Sequence, residues 1–289
     1  MNNLNILSEQ LLLAVKMEKD YAGFLEELAG FKLSDIEKKL SDDSCKIAFW
    51  INIYNAFFQI LRKDMDLRQP KIYTTKQMNM AGQKISLDDI EHGILRRFRY
   101  KYSLGYLPDP FVSTLIKKWA VTNIDFRIHF ALNCGAKSCP PIAFYTVDKL
   151  EEQLELAGAL FLNEDTRIDA QRKEAHISRL FLWFLKDFGG RKGARKIVSK
   201  YLNQDLGGYK IIYNQYSWEE HLNNYDEIIL GNHGLILEES GRKGLLLPQV
   251  PIQHGMDRKQ FLSALCHKAG FNENYWEEKQ LKLKGFTAT

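Results

Sequence analysis

The sequence contains few cysteines and no long apolar run, and both scarcities narrow the class of protein. Four cysteines in 289 residues cannot build the disulfide framework that holds small secreted domains together. No stretch of about eighteen apolar residues occurs, so a membrane-spanning helix is not expected. The N-terminal residues carry no basic leader ahead of their short apolar stretch, which argues against a signal peptide. We therefore expect a cytoplasmic protein with reduced thiols and no membrane partner.

An excess of charge of one sign is also lacking. The chain has 40 basic and 36 acidic residues, a net charge of +4, which is too weak to predict a nucleic-acid partner. The phosphate-binding patterns GxxxxGK[ST] and GxGxxG are absent, and so is the G-x-S-x-G pattern of serine hydrolases. No cofactor is therefore expected, and a small molecule or a peptide is the expected substrate.

The apolar pattern predicts a helix-rich α+β fold with a small central sheet. Residues 1–40 fit two amphipathic helices, and the stretch 48–61 is apolar nearly all round, which is typical of a buried helix. Residues 127–133, RIHFALN, are apolar and aromatic and favour a central strand. The character changes near residue 225, so we predict one domain over 1–225 and a small mixed segment over 226–289.

A carboxylate in an apolar helical stripe is the first chemical signal. Ser86 is a plausible N-cap for a helix that runs to about Phe98. Glu91 lies on its apolar face, four residues from both Leu87 and Leu95. A buried carboxylate is costly unless it is paired or hydrogen-bonded. Glu91 therefore either ties the structure together or orients a catalytic group.

Amide side chains on the buried helix are the second signal. Asn52, Asn55 and Gln59 follow one another at i, i+3 and i+7 and form one polar line. Buried amides must satisfy their donors and acceptors within the protein. They predict either a packing network between helices or a group that orients a catalytic residue or binds a substrate amide. The amides of Asn52 and of Asn133, outside this helix, are the candidate donors to an oxyanion.

The third signal is the segment RIHFALNCGAKSCPP, residues 127–141, which combines a histidine with two cysteines. In a strand, His129 and Asn133 share one face. Cys134 begins the following turn, and Cys139 precedes two prolines, where a helical turn can start. Exposed amides at such a start lower the pKa of a thiol, and a nearby imidazole can take its proton. The segment therefore holds the groups that a thiolate nucleophile needs, with His129 as its base.

Other interpretations of this cluster stay open. The cysteines are simply buried small hydrophobes in one of them, and in another they form a local disulfide, which a reducing compartment opposes. In a third, His92, His129, Cys134 and Cys139 hold a zinc ion. A non-catalytic protein-interaction module is the remaining alternative for the chain.

Four blocks of the sequence, in this order, resemble the family called domain of unknown function 547. The resemblance covers about residues 35–224 and implies a papain- or transglutaminase-like core with a Cys–His–Glu set. Carried over to this chain, that set falls on Cys139 or Cys134, on His129 and on Glu91. The blocks are AFWINIYNAF (48–57), SLDDIEHGILR (86–96), RIHFALNCGAKSCPPI (127–142) and YKIIYNQYSW (209–218).

The tail resembles a different family. Residues 226–271 contain GLLLPQV and FLSALCHKAG, a pairing similar to the C-terminal part of AMMECR-type proteins. The earlier motif of that family, Leu-Arg-Gly-Cys-Ile-Gly, is absent, and Met256 stands where tryptophan is expected. We therefore expect residues 226–289 to be an AMMECR-like C-terminal fragment, and the resemblance assigns no chemistry to it.

Together these observations predict a cysteine-type amide hydrolase or acyl transferase. Cys139 is the expected nucleophile and Cys134 the second candidate. His129 is the expected general base, and Glu91 is expected to hold its imidazole in the correct tautomer. The substrate class, small peptide-like or γ-glutamyl amides, is implied by the resemblance.

Overall fold

The computed structural model describes residues 3–133, 143–215, 220–222, 225 and 228–286, and these form two compact units. The first unit holds the described residues up to 215, and the second holds those from 220 onward. Both units combine helices with small sheets, which confirms the predicted α+β class. Within these ranges, none of the helices has the length and apolar character needed to cross a membrane.

The first unit is rich in helix and has two small sheets in its described part. Strands β1 and β2 pair antiparallel, while β3, β4 and β5 form a sheet in that order, with β3–β4 antiparallel and β4–β5 parallel. Its α-helices are α1 Asn3–Lys16, α2 Ala22–Gly30, α3 Leu33–Lys39, α4 Asp43–Lys63, α5 Lys71–Thr74, α6 Thr114–Trp119, α7 Leu150–Asp165, α8 Leu180–Trp183 and α9 Gly190–Tyr201. Its strands are β1 Met78–Met80, β2 Gln83–Ile85, β3 Arg167–Asp169, β4 Glu174–Ile177 and β5 Lys210–Tyr213, and it also has a π-helix, Asp89–Leu95, and 3₁₀ helices at Phe126–Phe130 and Val147–Lys149.

Helix α4 lies in the core of the first unit, as its apolar surface predicts. Every residue from 47 to 61 is buried except Gln59, which is half-buried. Asp42 caps the start of the helix by accepting a hydrogen bond from the backbone amide of Cys45. In the core, the ring of Trp50 packs on that of Trp119, with 5.5 Å between the ring centres.

Two amides of α4 hold the backbone on either side of the cysteine-containing stretch. The Nδ2 of Asn52 donates to the carbonyl of Tyr145 at 2.7 Å, and its Oδ1 accepts from the amide of Tyr145 at 3.0 Å. In the same way, Asn55 donates to the carbonyl of Ala131 at 3.0 Å and accepts from the amide of Asn133 at 2.9 Å. The buried amides thus form an internal network, and they fix the chain where it enters and leaves that stretch.

The predicted central strand at residues 127–133 is wrong. The structure has the 3₁₀ helix Phe126–Phe130 there, capped by Asp125, whose carboxylate accepts from the backbone amide of Arg127 at 2.9 Å and pairs with its guanidinium. A short apolar run does not distinguish a strand from a buried helical turn. The alternation argument that placed His129 on a strand face therefore fails.

The helix predicted from Ser86 starts as expected and then widens. The amide of Ser86 donates to the carboxylate of Asp89 at 2.9 Å, and the amide of Asp89 donates to the hydroxyl of Ser86 at 3.1 Å. The following turns are π-helical, and the amide of Arg96 donates to the carbonyl of Glu91. This i to i+5 spacing brings Glu91 and Arg96 to the same side of the helix.

The second unit contains a four-stranded antiparallel sheet in the order β6 (Glu220–Leu222), β9 (Leu283–Phe286), β7 (Gly234–Glu239) and β8 (Arg242–Leu246). Leu235, Leu237 and Leu283 of the sheet share a buried apolar cluster with Phe261 and Leu265 of helix α11. A capping box of Asp257 and Gln260 starts α11. The elements of this unit are β6 Glu220–Leu222, β7 Gly234–Glu239, β8 Arg242–Leu246, α10 Gln249–Gln253, α11 Arg258–Lys268, α12 Tyr275–Glu278 and β9 Leu283–Phe286.

The Asn52 clamp yields a stability prediction. We expect Asn52→Ala to lower the free energy of unfolding by about 2–4 kcal/mol, because it leaves the buried amide and carbonyl of Tyr145 without partners. Urea denaturation of the full chain measures this loss. Asn163→Ala is the control, since Asn163 is an exposed amide bonded to a carbonyl of its own helix, and we expect it to change stability by less than about 0.5 kcal/mol. Equal losses in both variants would contradict the clamp.

Candidate functional site

A buried carboxylate, that of Asp187, joins a histidine to an arginine in the first unit. Its Oδ2 accepts from the Nε of Arg96 at 2.6 Å and lies 3.0 Å from the Nε2 of His129. The side chains of Asp187 and Arg96 are fully buried, and that of His129 is 1% exposed. One carboxylate oxygen thus holds both groups in a place that excludes water.

Three separate segments bring these groups together. Arg96 directly follows the π-helix, His129 lies in the 3₁₀ helix Phe126–Phe130, and Asp187 lies in the turns after α8. The amide of Asp187 donates to the carbonyl of Phe184 at 2.9 Å, which closes one of these turns. Gly189 follows with a φ of +76°, a backbone conformation that favours glycine.

The ring of Phe184 packs on both groups that bind the carboxylate. It stacks on the imidazole of His129, with 3.9 Å between the ring centres and 11° between the planes, and it lies 4.4 Å from the guanidinium carbon of Arg96. The ring of Phe188 is 5.2 Å from that of His129. These rings keep the local dielectric low, and hydrogen bonds to a charged group are strongest in such a place.

Burial and neighbouring charges set the protonation states of His129 and Asp187. Burial lowers the pKa of His129, although the hydrogen bond to Asp187 acts in the opposite direction. Burial also acts to raise the pKa of the Asp187 carboxyl, but the hydrogen bonds and charges of His129 and Arg96 outweigh it and lower the pKa. An ionised Asp187 accepts the N–H of Nε2, which assigns the basic lone pair of the neutral ring to Nδ1.

Glu91, the predicted partner of the imidazole, has other neighbours. The hydroxyl of Tyr54 donates to its Oε2 at 3.4 Å. Burial raises the pKa of Glu91 to about 7, against the opposing charge of Arg96. The carboxylate that contacts His129 is therefore that of Asp187, whereas the carboxylate of Glu91 contacts the hydroxyl of Tyr54.

His92, a ligand in the zinc alternative, is bonded to the same arginine. Its Nδ1 accepts from the Nη1 of Arg96 at 2.8 Å, and burial, assisted by the charge of Arg96, lowers its pKa well below the usual range. Its Nε2 lies 3.7 Å from a carboxylate oxygen of Asp88, which pairs with Lys101 at 2.6 Å. A guanidinium bonded to one ring nitrogen repels a metal cation there, which weakens the zinc alternative.

The remaining predicted site residues are the two cysteines of the cysteine-containing stretch and the amides of Asn133 and Asn52. Cys134 and Cys139 lie outside the described residues. The backbone amide of Asn133 is held by α4, as described above. The Nδ2 of Asn52 is engaged by its clamp and by the hydroxyl of Ser8 at 3.3 Å, so it offers no donor to an oxyanion. The oxyanion role of Asn133 stays a prediction.

Sequence reasoning missed Asp187 and Arg96. Asp187 lies in LFLWFLKDFGG, residues 180–190, where an acid interrupts an apolar and aromatic run. That is the same signal that singled out Glu91, so it was available in the sequence. The burial of Arg96 was not, because it depends on the π-helical turn.

Two family models match separate parts of the chain. The family described as protein of unknown function, DUF547, matches residues 38–162, and the AMMECR1 family matches residues 214–289. A curated protein from Aquifex aeolicus is 44% identical over 62 residues, which is 22% of this chain and 32% of that protein. One from Thermoplasma acidophilum is 47% identical over 60 residues, or 21% of this chain and 29% of that protein.

The chain spans about a third of the length of these curated relatives. Among solved structures, an uncharacterised protein from Pyrococcus horikoshii is 36% identical over 25% of this chain and 37% of its own, with a TM-score of 0.23. Residues 38–162 are thus similar to the DUF547 family, and residues 214–289 are similar to the AMMECR1 family.

Proposed function

We propose that the first unit is a cysteine-type amide hydrolase or acyl transferase, active in the cytoplasm on small peptide-like or γ-glutamyl amides. The observation that carries this proposal is the 3.0 Å contact between Asp187 and the Nε2 of the buried His129. An imidazole oriented by a carboxylate supplies the base of a catalytic triad. The proposed nucleophile is Cys139, with Cys134 as the second candidate.

The proposed reaction follows from the tautomer that Asp187 favours. The thiol attacks the amide carbonyl while Nδ1 of His129 takes the thiol proton. The resulting oxyanion is stabilised by backbone amides of the cysteine-containing turn or by Asn133. The imidazolium then protonates the leaving amine as the C–N bond breaks, which leaves a thioester. Water, or an acceptor amine, attacks the thioester with the same base assistance and releases the free thiol.

The proposed core arrangement is papain- or transglutaminase-like, with the cysteine-containing stretch held against a buried helix. Two contacts support it: the Asn55 clamp on Ala131 and Asn133, and the Asn52 clamp on Tyr145. Both position the ends of the stretch that contains the proposed nucleophile. His129 lies in the turn that leads into it.

Thiol reactivity tests the nucleophile without a known substrate. With iodoacetamide at pH 7, we expect Cys139 to be alkylated at least about tenfold faster than Cys45 and Cys266, because His129 accepts its proton. Burial raises the pKa of Cys45 to about 11 and also raises that of Cys266, so both are slow internal controls. Peptide mass spectrometry of a time course measures the four rates. If neither Cys139 nor Cys134 exceeds the controls, the proposal is wrong.

Two carboxylate substitutions test the partner of the imidazole. We expect Asp187→Asn to lower kcat/KM for γ-glutamyl-p-nitroanilide by about 10²–10⁴-fold, because an amide at this position favours the wrong tautomer of His129. Glu91→Gln is the matched control, since Glu91 contacts Tyr54, and we expect a loss of less than about tenfold. Release of p-nitroaniline is read by absorbance. A larger loss of kcat/KM in Glu91→Gln than in Asp187→Asn would show that Glu91, and not Asp187, orients the imidazole.

The pH profile tests the base. The free enzyme needs a neutral His129, and its pKa is lowered by burial. We therefore expect kcat/KM to stay level as the pH falls through the ordinary histidine value of about 6.5 and to decline only below it. The profile is recorded on Glu91→Gln as well, because Glu91 has a pKa of about 7. If kcat/KM declines around a pH above about 6.5 in both the unmodified protein and Glu91→Gln, His129 is not the buried neutral base that we propose.

A further inference from the structure

Arg96 is a fully buried arginine with no place in the proposed chemical steps. Its Nε donates to Oδ2 of Asp187 at 2.6 Å, and its Nη1 donates to Nδ1 of His92 at 2.8 Å. Its guanidinium also lies against the ring of Phe184. A buried guanidinium is costly unless its charge is compensated and its donors are used, so these contacts fix where it sits.

Arg96 adds to the effect of burial in keeping the His129 ring neutral, because both oppose a proton there, whereas Asp187 favours one. Arg96 and Asp187 compensate each other, so the positive charge of Arg96 opposes a proton on His129 that the carboxylate of Asp187 would otherwise favour. Without Arg96, an ionised Asp187 would instead be compensated by a protonated His129. Asp125, which also acts on His129, is already paired with a guanidinium at 2.6 Å. The charged groups that act on His129 are Asp187, Arg96 and Asp125, and His129 acts in turn on His92. Glu91, which interacts with both Arg96 and Asp187, is the other acid near the cluster.

We propose that Arg96 is a positioning residue that fixes the Asp187 carboxylate and keeps His129 neutral, with its proton on Nε2. This inference rests on the proposed function, because it explains how Nδ1 is kept available as the base. Arg96 reaches the cluster because it follows a π-helix, in which its amide bonds to the carbonyl of Glu91 at 2.9 Å. Wide turns of this kind recur at functional sites.

A glycine closes the far side of the Arg96–Asp187 pair. A methyl group placed on Gly105 would lie 2.5 Å from Oδ1 of Asp187 and 3.2 Å from Nη2 of Arg96. Both of these buried atoms lack a hydrogen-bond partner within the described part of the chain. The Gly105 backbone therefore packs directly on the pair. A larger side chain at position 105 would push Asp187 and Arg96 aside while both keep their charges.

The first test reads the protonation state of His129 directly. Long-range ¹H–¹⁵N spectra of the full chain are recorded against pH, with His129 assigned by its loss in His129→Gln, in a Cys139→Ala background. We expect the Nε2–H tautomer at pH 7 with Arg96 present, and in Arg96→Met an upward shift of the His129 titration with a doubly protonated ring at pH 7. Arg96→Lys retains the positive charge but not the planar guanidinium. We expect its His129 titration to lie between those of the unmodified protein and of Arg96→Met.

The second test displaces the pair while every charge is kept. We expect Gly105→Ala to lower kcat/KM for γ-glutamyl-p-nitroanilide by about tenfold or more, because a small displacement of the acid misplaces the base. Gly82→Ala is the matched control, since Gly82 has a similar positive φ of +74° but open space where the methyl group would lie. We expect it to leave kcat/KM within about twofold. If Arg96→Met does not fold, the spectra of Gly105→Ala are recorded in its place. We then expect His129 to lose its single Nε2–H tautomer.

The outcomes separate this inference from the function on which it rests. An unchanged tautomer and titration of His129 in Arg96→Met, or in Gly105→Ala where the first variant does not fold, would overturn the role of Arg96. That result is independent of catalysis because the background lacks Cys139. If the tautomer and titration of His129 change as expected, the positioning role of Arg96 is supported. If at the same time the cysteines and the amide substrate show no reactivity, only the proposed function fails.

Discussion

The first unit depends on one oxygen atom, Oδ2 of Asp187, which meets both Arg96 and His129 inside the protein. Removing a carboxylate and a guanidinium from water costs several kcal/mol for each ion, and that cost is offset only if the partners stay in place. The π-helix, the 3₁₀ helix and the turn after α8 must therefore hold a fixed arrangement. The stacking of Phe184 on His129 and Arg96 and the close packing of Gly105 are consequences of the same requirement.

The features that a sequence predicts well here are those decided by local periodicity. Helix α4 is apolar on all sides and is buried, and Ser86 marks a helix start as expected. The sequence indicates that the buried amides of Asn52 and Asn55 need internal partners, but it does not identify those partners. They are backbone groups of Tyr145, Ala131 and Asn133, which lie far along the chain and approach only after packing.

The strand wrongly predicted at 127–133 and the unpredicted burial of Arg96 have one physical cause, which is the dependence of local structure on tertiary packing. Apolar residues at 127–133 satisfy a buried strand and a buried 3₁₀ turn equally well, and the Asp125 cap together with the Asp125–Arg127 pair favours the turn. Whether a helix tightens or widens depends on what packs against it, so the π-helical turn that places Arg96 beside Asp187 leaves no local signature. Arg96 looks like an ordinary C-terminal helix cation, a position that normally favours a solvated charge.

Glu91 and Asp187 show why the choice between two buried acids needs a structure. Each interrupts an apolar run, and both satisfy the same sequence criterion. Glu91 meets a neutral hydroxyl, and burial raises its pKa to about 7. Asp187 meets a guanidinium and an imidazole, and they hold its pKa below the ordinary value despite burial. An acid that orients an imidazole must be ionised at the working pH. Asp187 meets this requirement, whereas the raised pKa of Glu91 makes it a group that changes charge near neutrality.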